Sequence, residues 1–250
     1  MVNTPKIKEK DKKVKIDTKE MMEAGMHLGH RTSKLHPKME DFIVGIKNTV
    51  HIIDLQKTEK CLQDALNFIS ELIKSGGTLL IVGTKPPLRN LVQQIAQVCN
   101  LPYVVERWLG GTFSNFEVIL KRVKYLKELE DKKKKGELDK YTKKEKAMIE
   151  RELTNLKRKF EGVKDMEKIP EAVFICDIVR DKACLKEARM KGIKVVAIVD
   201  TNTDPTLVDY PIPANDDAIP SVKYILEKVA TVIKKSKIPS SNDKSNPKSK

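Results

Sequence analysis

Polar residues follow three of the apolar runs in this 250-residue chain, and such positions hold the ligands of many α/β proteins. They are Gly83, Thr84, Lys85, Asp177, Asp200, Thr201, Asn202 and Asp204. A phosphate group could bind the backbone after Gly83 at the start of the next helix, with Lys85 as its charge partner. The pattern therefore permits one hypothesis, an enzyme that acts on a phosphorylated metabolite.

The neighbouring residues argue against this hypothesis. Pro86 and Pro87 lack two of the backbone N–H donors that a phosphate site would use there. The chain has no G-x-x-x-x-G-K-[ST], G-x-G-x-x-G or G-x-S-x-G motif, and no Cys/His pair lies near the aspartates that follow the strands. The aspartates are equally explained as helix caps and Asx turns. We therefore predict no catalytic residue, no cofactor and no enzymatic activity.

Two histidines three residues apart, His27 and His30, raise the question of a metal site. No Cys, Asp or Glu with ligand spacing accompanies them, so we predict none. Two interpretations remain open for this segment. The histidines and the basic residues that follow could donate to an RNA backbone, or the histidines could pack in a corner between a helix and a loop.

The distribution of charge favours a polyanionic partner. Segments 1–19, 119–161 and 233–250 carry net charges of +4, +7 and +5, although the whole chain carries +14. The remainder is therefore close to neutral, as expected when extensions reach a polyanion and the core positions them.

The sequence also indicates the compartment. The four cysteines are isolated and form no C-x-x-C pair, and the chain has no apolar run of 18 residues and no signal-like N-terminus. These features favour a soluble protein of a reducing, cytoplasmic compartment.

The segment 116–163 predicts a helical hairpin that holds much of this charge. Apolar residues recur every three or four positions in both halves, and this spacing is typical of a coiled-coil seam. They are Phe116, Ile119, Val123 and Leu126, then Ile149, Leu153, Leu156, Phe160 and Val163. Thr142 and Glu145 form a capping-box pattern that starts the second helix. Because each helix has one narrow apolar seam and is otherwise charged, the pair is expected to project into solvent.

An aromatic loop, residues 107–115, precedes this segment. It contains the only Trp of the chain, Trp108, together with Phe113 and a glycine pair. Such a joint would fix the angle of the hairpin to the domain, and Arg107 and Asn115 could meet RNA.

The order of the remaining elements predicts an α/β fold with a doubly wound parallel sheet covered by helices on both faces, because short apolar strands alternate with amphipathic helices. A β-hairpin at 42–53 is predicted to lead into this sheet. The whole chain is predicted to divide into four segments. They are a basic flexible arm (1–17), an α/β RNA-binding domain (18–117 and 162–235), the inserted, protruding coiled-coil hairpin (118–161) and a disordered basic tail (236–250).

The chain resembles the bacterial small-subunit ribosomal protein two family over about residues 18–235. The resemblance is carried by 25–30 (GMHLGH), 36–39 (HPKM), 48–58 (NTVHIIDLQKT), 81–85 (IVGTK), 107–116 (RWLGGTFSNF), 142–145 (TKKE), 164–166 (KDM), 198–205 (IVDTNTDP) and 212–219 (IPANDDAI). It implies a flavodoxin-like domain with a protruding helical hairpin, seated between the head and body of the small ribosomal subunit. It also implies binding to ribosomal RNA and help in recruiting the large mRNA-binding ribosomal protein one.

The leading hypothesis is thus a structural ribosomal protein whose partners are small-subunit ribosomal RNA and neighbouring ribosomal proteins. A protein-binding adaptor whose hairpin pairs with another coiled coil is a further alternative. We expect no membrane partner and no homo-oligomer. The RNA-contact candidates are His27, His30, Arg31, Lys34, Lys38, Lys85, Arg107, Asn115, Lys132, Lys133, Lys134, Lys135, Lys143 and Lys144.

Overall fold

The computed structural model describes residues 16–237, and these form seven α-helices and eight β-strands. The helices are α1 (Thr18–Glu23), α2 (Leu55–Lys74), α3 (Arg89–Cys99), α4 (Phe116–Lys134), α5 (Lys143–Phe160), α6 (Lys182–Met190) and α7 (Ile219–Lys237). The strands are β1 (Leu28–Arg31), β2 (Ile43–Lys47), β3 (Val50–Ile53), β4 (Leu79–Val82), β5 (Tyr103–Val104), β6 (Ala172–Ile175), β7 (Lys194–Val199) and β8 (Tyr210–Pro213).

Five strands form one parallel sheet in the order β5-β4-β6-β7-β8. This is the 2-1-3-4-5 strand order of flavodoxin-like sheets. All four residues of β4 and all four of β6 are buried, as expected for apolar strands that are covered on both faces. The predicted α/β class with a parallel sheet is confirmed.

Successive side chains of each strand point to opposite faces of the sheet, and this alternation divides the core in two. Leu79 and Ile81 pack into one apolar cluster with α2, α3 and α7. Leu80 and Val82 pack into a second cluster with α4, α5 and α6. The basic helices α4 and α5 therefore lie on the face of the sheet opposite to α7.

A second, smaller sheet contains the predicted β-hairpin. Its turn holds Asn48 and Thr49 at positive φ angles of 49° and 64°. The hairpin does not join the main sheet as predicted, because β2 and β3 pair with β1 in an antiparallel sheet of order β1-β3-β2. Gly29 allows β1 to lie against the loop after β7, since an added Cβ would stand 2.5 Å from Cγ2 of Thr201. The predicted corner at this position is thus an edge strand.

The domain is longer at both ends than predicted. Ile16 packs against the core, and the backbone N–H of Asp17 donates to the Tyr224 hydroxyl at 3.1 Å, so neither belongs to the arm. Ser236 and Lys237, the first two residues of the predicted tail that follow the domain, continue α7. The rest of the predicted arm and tail, 1–15 and 238–250, lies outside the described residues.

Helices α4 and α5 pack against each other and are joined by a short 3-10 turn (Glu137–Lys140). Their buried apolar residues are Ile119, Val123, Leu126 and Leu129 of α4 and Leu153 and Phe160 of α5. Ion pairs add to this contact. Lys133 lies 3.1 Å from Glu150, and Glu130 pairs with both Lys157 and Lys164.

The predicted capping box at the start of α5 is confirmed. The backbone N–H of Glu145 donates to the Thr142 hydroxyl, and the N–H of Thr142 donates to the Glu145 carboxylate at 2.9 Å. The Glu145 carboxylate accepts hydrogen bonds from both the N–H and the hydroxyl of Thr142, and these lower its pKa from the ordinary value. The helix therefore begins where the sequence pattern indicates.

Candidate nucleic-acid interface

The aromatic loop is held by a single carboxylate that the sequence analysis did not single out. Glu187 of α6 accepts hydrogen bonds from the backbone N–H groups of Gly111 (2.8 Å), Phe113 (2.9 Å) and Ser114 (3.2 Å) and from the indole N–H of Trp108 (3.2 Å). The rings of Trp108 and Phe113 meet edge to face with centroids 4.8 Å apart. We call this set of contacts the Glu187 anchor.

The Glu187 anchor fixes the place where the chain enters α4. Burial by itself would raise the pKa of Glu187, but the amide donors hold this pKa below its ordinary value, so the carboxylate is charged. Helix α4 begins at Phe116, directly after the loop. Arg107 and Asn115, the two RNA-contact candidates of the loop, are exposed at its ends.

Substituting Glu187 with Gln should loosen this loop. Gln has an NH₂ group in place of one carboxylate oxygen, and this group cannot accept hydrogen bonds from the N–H groups of the loop. We therefore expect a loss of roughly 2–3 kcal/mol in the free energy of unfolding. Trp108 is 6% exposed and is the only Trp, so its fluorescence should shift to longer wavelength. Glu171→Gln is the control, because the Glu171 carboxylate accepts the Thr78 N–H (2.7 Å) away from the loop. Unchanged Trp108 emission in Glu187→Gln would refute the anchor.

Lys85, another RNA-contact candidate, lies inside a cluster of carboxylates at the strand ends. Its Nζ atom is 2.5 Å from Asp217, 3.1 Å from Asp216 and 3.5 Å from Asp177. Burial would lower the pKa of Lys85, but these carboxylates raise it well above its ordinary value. Lys85 is therefore a charged cross-link between the ends of β4 and β6 and the start of α7. Its charge is already neutralised within the protein.

The carboxylates of this cluster make a poor phosphate site. Burial and the charges of Asp177 and Asp200 raise the pKa of Asp216 to about 7, although Lys85 acts to lower it. Burial likewise raises the pKa of Asp181 to about 6, and its carboxylate accepts the Thr84 hydroxyl at 2.8 Å. An anionic ligand beside residues 83–85 would lie close to several carboxylates at once, including Asp177 and Asp217 beside Lys85, and their negative charge disfavours its binding. The geometry therefore gives no support to an enzyme of phosphorylated metabolites.

His30 joins the small sheet to the strand-end cluster. Its Nδ1 atom lies 3.1 Å from Asp200 and its Nε2 atom 3.6 Å from Asp217, while Asn202 lies 3.3 Å from Nε2. The hydrogen bond to Asp200 raises the pKa of His30 above its ordinary value, and the charges of Asp200, Asp216 and Asp217 raise it further. Burial by itself would lower this pKa. The structure thus brings His30 and Lys85 together around Asp217.

The raised pKa of His30 predicts a pH-dependent contribution to stability. A group with a raised folded pKa stabilises the protein fully below its unfolded pKa, about 6.5 for His, and this contribution is lost as the pH rises through the folded value. The difference in free energy of unfolding between the wild type and His30→Gln should therefore be larger at about pH 6 than at about pH 9. Urea unfolding at both pH values measures it. A difference that does not change with pH would contradict the protonated His30–Asp200 pair.

The other candidates of the N-terminal region differ in their surroundings. Arg31 and Lys34 are exposed, whereas His27 is half-buried with its Nδ1 atom unpaired. Lys38 donates to Asp204 and to Thr206, both at 2.8 Å. Within residues 16–237, no group of three or more His, Cys, Asp or Glu side chains is arranged to hold a metal ion.

The remaining candidates lie where α4 ends and α5 begins, and all are exposed. They are Lys132, Lys133, Lys134, Lys135, Lys143 and Lys144. Lys133 is paired with Glu150, as described above. The candidates thus form three groups, one in the N-terminal region with Lys85, one in the aromatic loop and one at the α4–α5 connection.

Within residues 16–237, no helix is long and apolar enough to cross a membrane.

Comparison with known proteins assigns the class. The family model that matches residues 21–236 describes a ribosomal protein. The description of that model is ribosomal protein S2, and the match covers most of the chain. The chain therefore belongs to the ribosomal protein S2 family, whose members are structural proteins and not enzymes.

Similar curated relatives agree with this assignment, and three of them carry the name "Small ribosomal subunit protein uS2". The relative from a Nitratiruptor species is 42% identical over 218 residues, which is 87% of this chain and 82% of the relative. The relative from Dictyoglomus turgidum is 45% identical over 215 residues, 86% of this chain and 87% of the relative. The relative from Coprothermobacter proteolyticus is 43% identical over 218 residues, 87% of this chain and 81% of the relative.

Proposed function

We propose that this protein is a structural constituent of the small ribosomal subunit that binds ribosomal RNA and supports translation. The observation that carries the proposal is the position of its exposed positive charge. Lys85 is neutralised at the strand ends, whereas lysines and arginines of α4 and α5 are exposed. Contacts of Lys and Arg with phosphates supply affinity, and RNA shape supplies specificity. Family membership and the names of the relatives support the ribosomal setting.

In this proposal α4 and α5 form a coiled-coil hairpin that projects from the α/β domain, between residues 118 and 161. Three features support it. The apolar residues of both helices follow a narrow seam, the Lys133–Glu150 and Lys157–Glu130 ion pairs join the helices, and the surface away from the seam is charged. The Glu187 anchor sets the direction of this hairpin. Arg31, Lys34, Arg107 and Asn115 are the further contacts that the domain offers to RNA.

The protein would also help to recruit the mRNA-binding ribosomal protein one. An exposed apolar surface supports a protein partner of this kind, since such patches mark interaction sites. Met22, Val44 and Ile46 are 58%, 70% and 62% exposed. Small subunits that carry Val44→Glu and Ile46→Glu should retain this protein and lose ribosomal protein one in a pelleting assay. Retention of both proteins would refute this docking surface.

The proposed partners are thus small-subunit ribosomal RNA and neighbouring ribosomal proteins, with the protein bound to cytoplasmic ribosomes as a single copy rather than a homo-oligomer. The test is binding of the isolated full chain to small-subunit ribosomal RNA at several salt concentrations. With about six phosphate contacts, the slope of log affinity against log salt should be near −4 to −5. A flat salt response would refute RNA binding through phosphates.

A further inference from the structure

We infer that one face of α5, which carries Lys144, Arg151 and Arg158, is a binding surface for the phosphodiester backbone of RNA. We call these three residues the basic stripe. The inference rests on the proposed function and deepens it, because it names the side of the helix pair that meets RNA. Arg151 and Arg158 are not among the candidates that the sequence analysis selected.

The spacing of the three residues places them on one side of the helix. Each is seven positions from the next, which is about two turns and about 10.5 Å along the axis. Small side chains lie between the two arginines, and they leave a shallow groove of about 500 Å³. Its lining residues are Ala147, Glu150, Arg151, Thr154, Asn155 and Arg158. Both arginines thus line this open groove, and Arg158 stands at its C-terminal end.

The charge of this face is not used inside the protein. In the part of the chain that the structure describes, none of the three stripe residues makes an ion pair. The neighbouring lysines differ, because Lys133 and Lys157 pair with Glu150 and Glu130. Glu150 is the only acid among the residues that line the groove, and Lys133 neutralises it. The groove therefore presents a net positive charge to solvent.

The side chains suit RNA better than an acidic protein. A guanidinium group donates two parallel hydrogen bonds to a phosphate, and arginine is the preferred residue for such contacts. Thr154 and Asn155 add polar side chains that can donate to phosphate or ribose oxygens. A protein interface would require large apolar or aromatic side chains at its centre, and the only apolar residue that lines this groove is Ala147.

The test compares double variants of the full chain for binding to small-subunit ribosomal RNA. Arg151→Gln with Arg158→Gln removes two phosphate contacts, so the salt slope should become shallower by roughly 1.4–1.8. At about 0.1 M salt the affinity should fall by roughly 30-fold. Arg151→Lys with Arg158→Lys keeps the charges and should keep most of the slope. Circular dichroism confirms that each variant is folded.

The control removes the same charge from the opposite face of the main sheet. Lys60→Gln with Lys235→Gln changes exposed residues of α2 and α7 and should leave the slope close to that of the wild type. A slope of the Arg151/Arg158 Gln variant that equals either the wild type or this control would overturn the basic stripe, and an acidic protein would then be the better occupant. If the wild type itself shows no salt-dependent binding, the proposed function fails as well. Strong wild-type binding with an unchanged Gln variant sinks the stripe alone.

Discussion

Phe160→Asp should separate α4 from α5. Phe160 is 5% exposed and packs in the apolar cluster that also holds Leu126 and Leu153. Removing the ring leaves a cavity that costs roughly 3–5 kcal/mol, and an unpaired carboxylate at this depth adds to that cost unless the helices move apart. We therefore expect a loss of helix content in α4 and α5 while the parallel sheet remains folded. Urea unfolding followed by circular dichroism measures both effects.

A matched substitution on the same helix separates burial from the introduced charge. Met148 of α5 is 61% exposed, so Met148→Asp should change the free energy of unfolding by no more than about 0.5 kcal/mol. Small subunits should incorporate the Met148 variant normally and the Phe160 variant poorly. Full helix content and normal incorporation of Phe160→Asp would show that the two helices are not held together by this seam.

The second large effect concerns the lysines at the end of α4. Replacing Lys132, Lys133, Lys134 and Lys135 with Gln removes four exposed charges without altering the apolar seam. If all four contact phosphate, the salt slope for ribosomal RNA should become shallower by roughly 3–4. Lys133 already pairs with Glu150, so the lower end of this range is expected. The change should be similar across RNA sequences, because phosphate contacts carry little base information.

Four exposed lysines from the other side of the domain provide the control. They are Lys60, Lys223, Lys234 and Lys235. Their replacement by Gln should affect the slope much less than replacement of the α4 cluster. Equal slopes in the two variants would mean that binding responds to net charge alone. An unchanged slope in the α4 variant would show that this cluster points away from RNA, toward a neighbouring protein.

The main elements could be predicted because their signals are local. Buried strands such as Leu79–Val82 are continuous apolar runs, and amphipathic helices repeat apolar residues every three or four positions. The start of α5 was predictable for the same reason, since Thr142 and Glu145 satisfy each other within three residues. These local features and the alternation of strands and helices were enough to assign the α/β class.

The contacts that position the candidate interface could not be predicted, because they join distant parts of the chain. Glu187 meets donors 73–79 residues away, and most of these are backbone N–H groups that leave no residue pattern. Lys85 appeared available to RNA until the fold placed Asp216 and Asp217 beside it. Strand β1 has a single aliphatic residue, Leu28, and exists because it pairs with β3. In each case the partner is chosen by the tertiary fold.

Sedimentation of a native lysate through a density gradient tests the central claim most directly. If the protein is a structural constituent of the small subunit, an antibody should detect it with the small-subunit and whole-ribosome fractions. Charge contacts with RNA weaken as salt rises, so a high-salt gradient should release part of it. A protein that stays at the top of the low-salt gradient, while other small-subunit proteins sediment, would contradict the ribosomal role proposed for this chain.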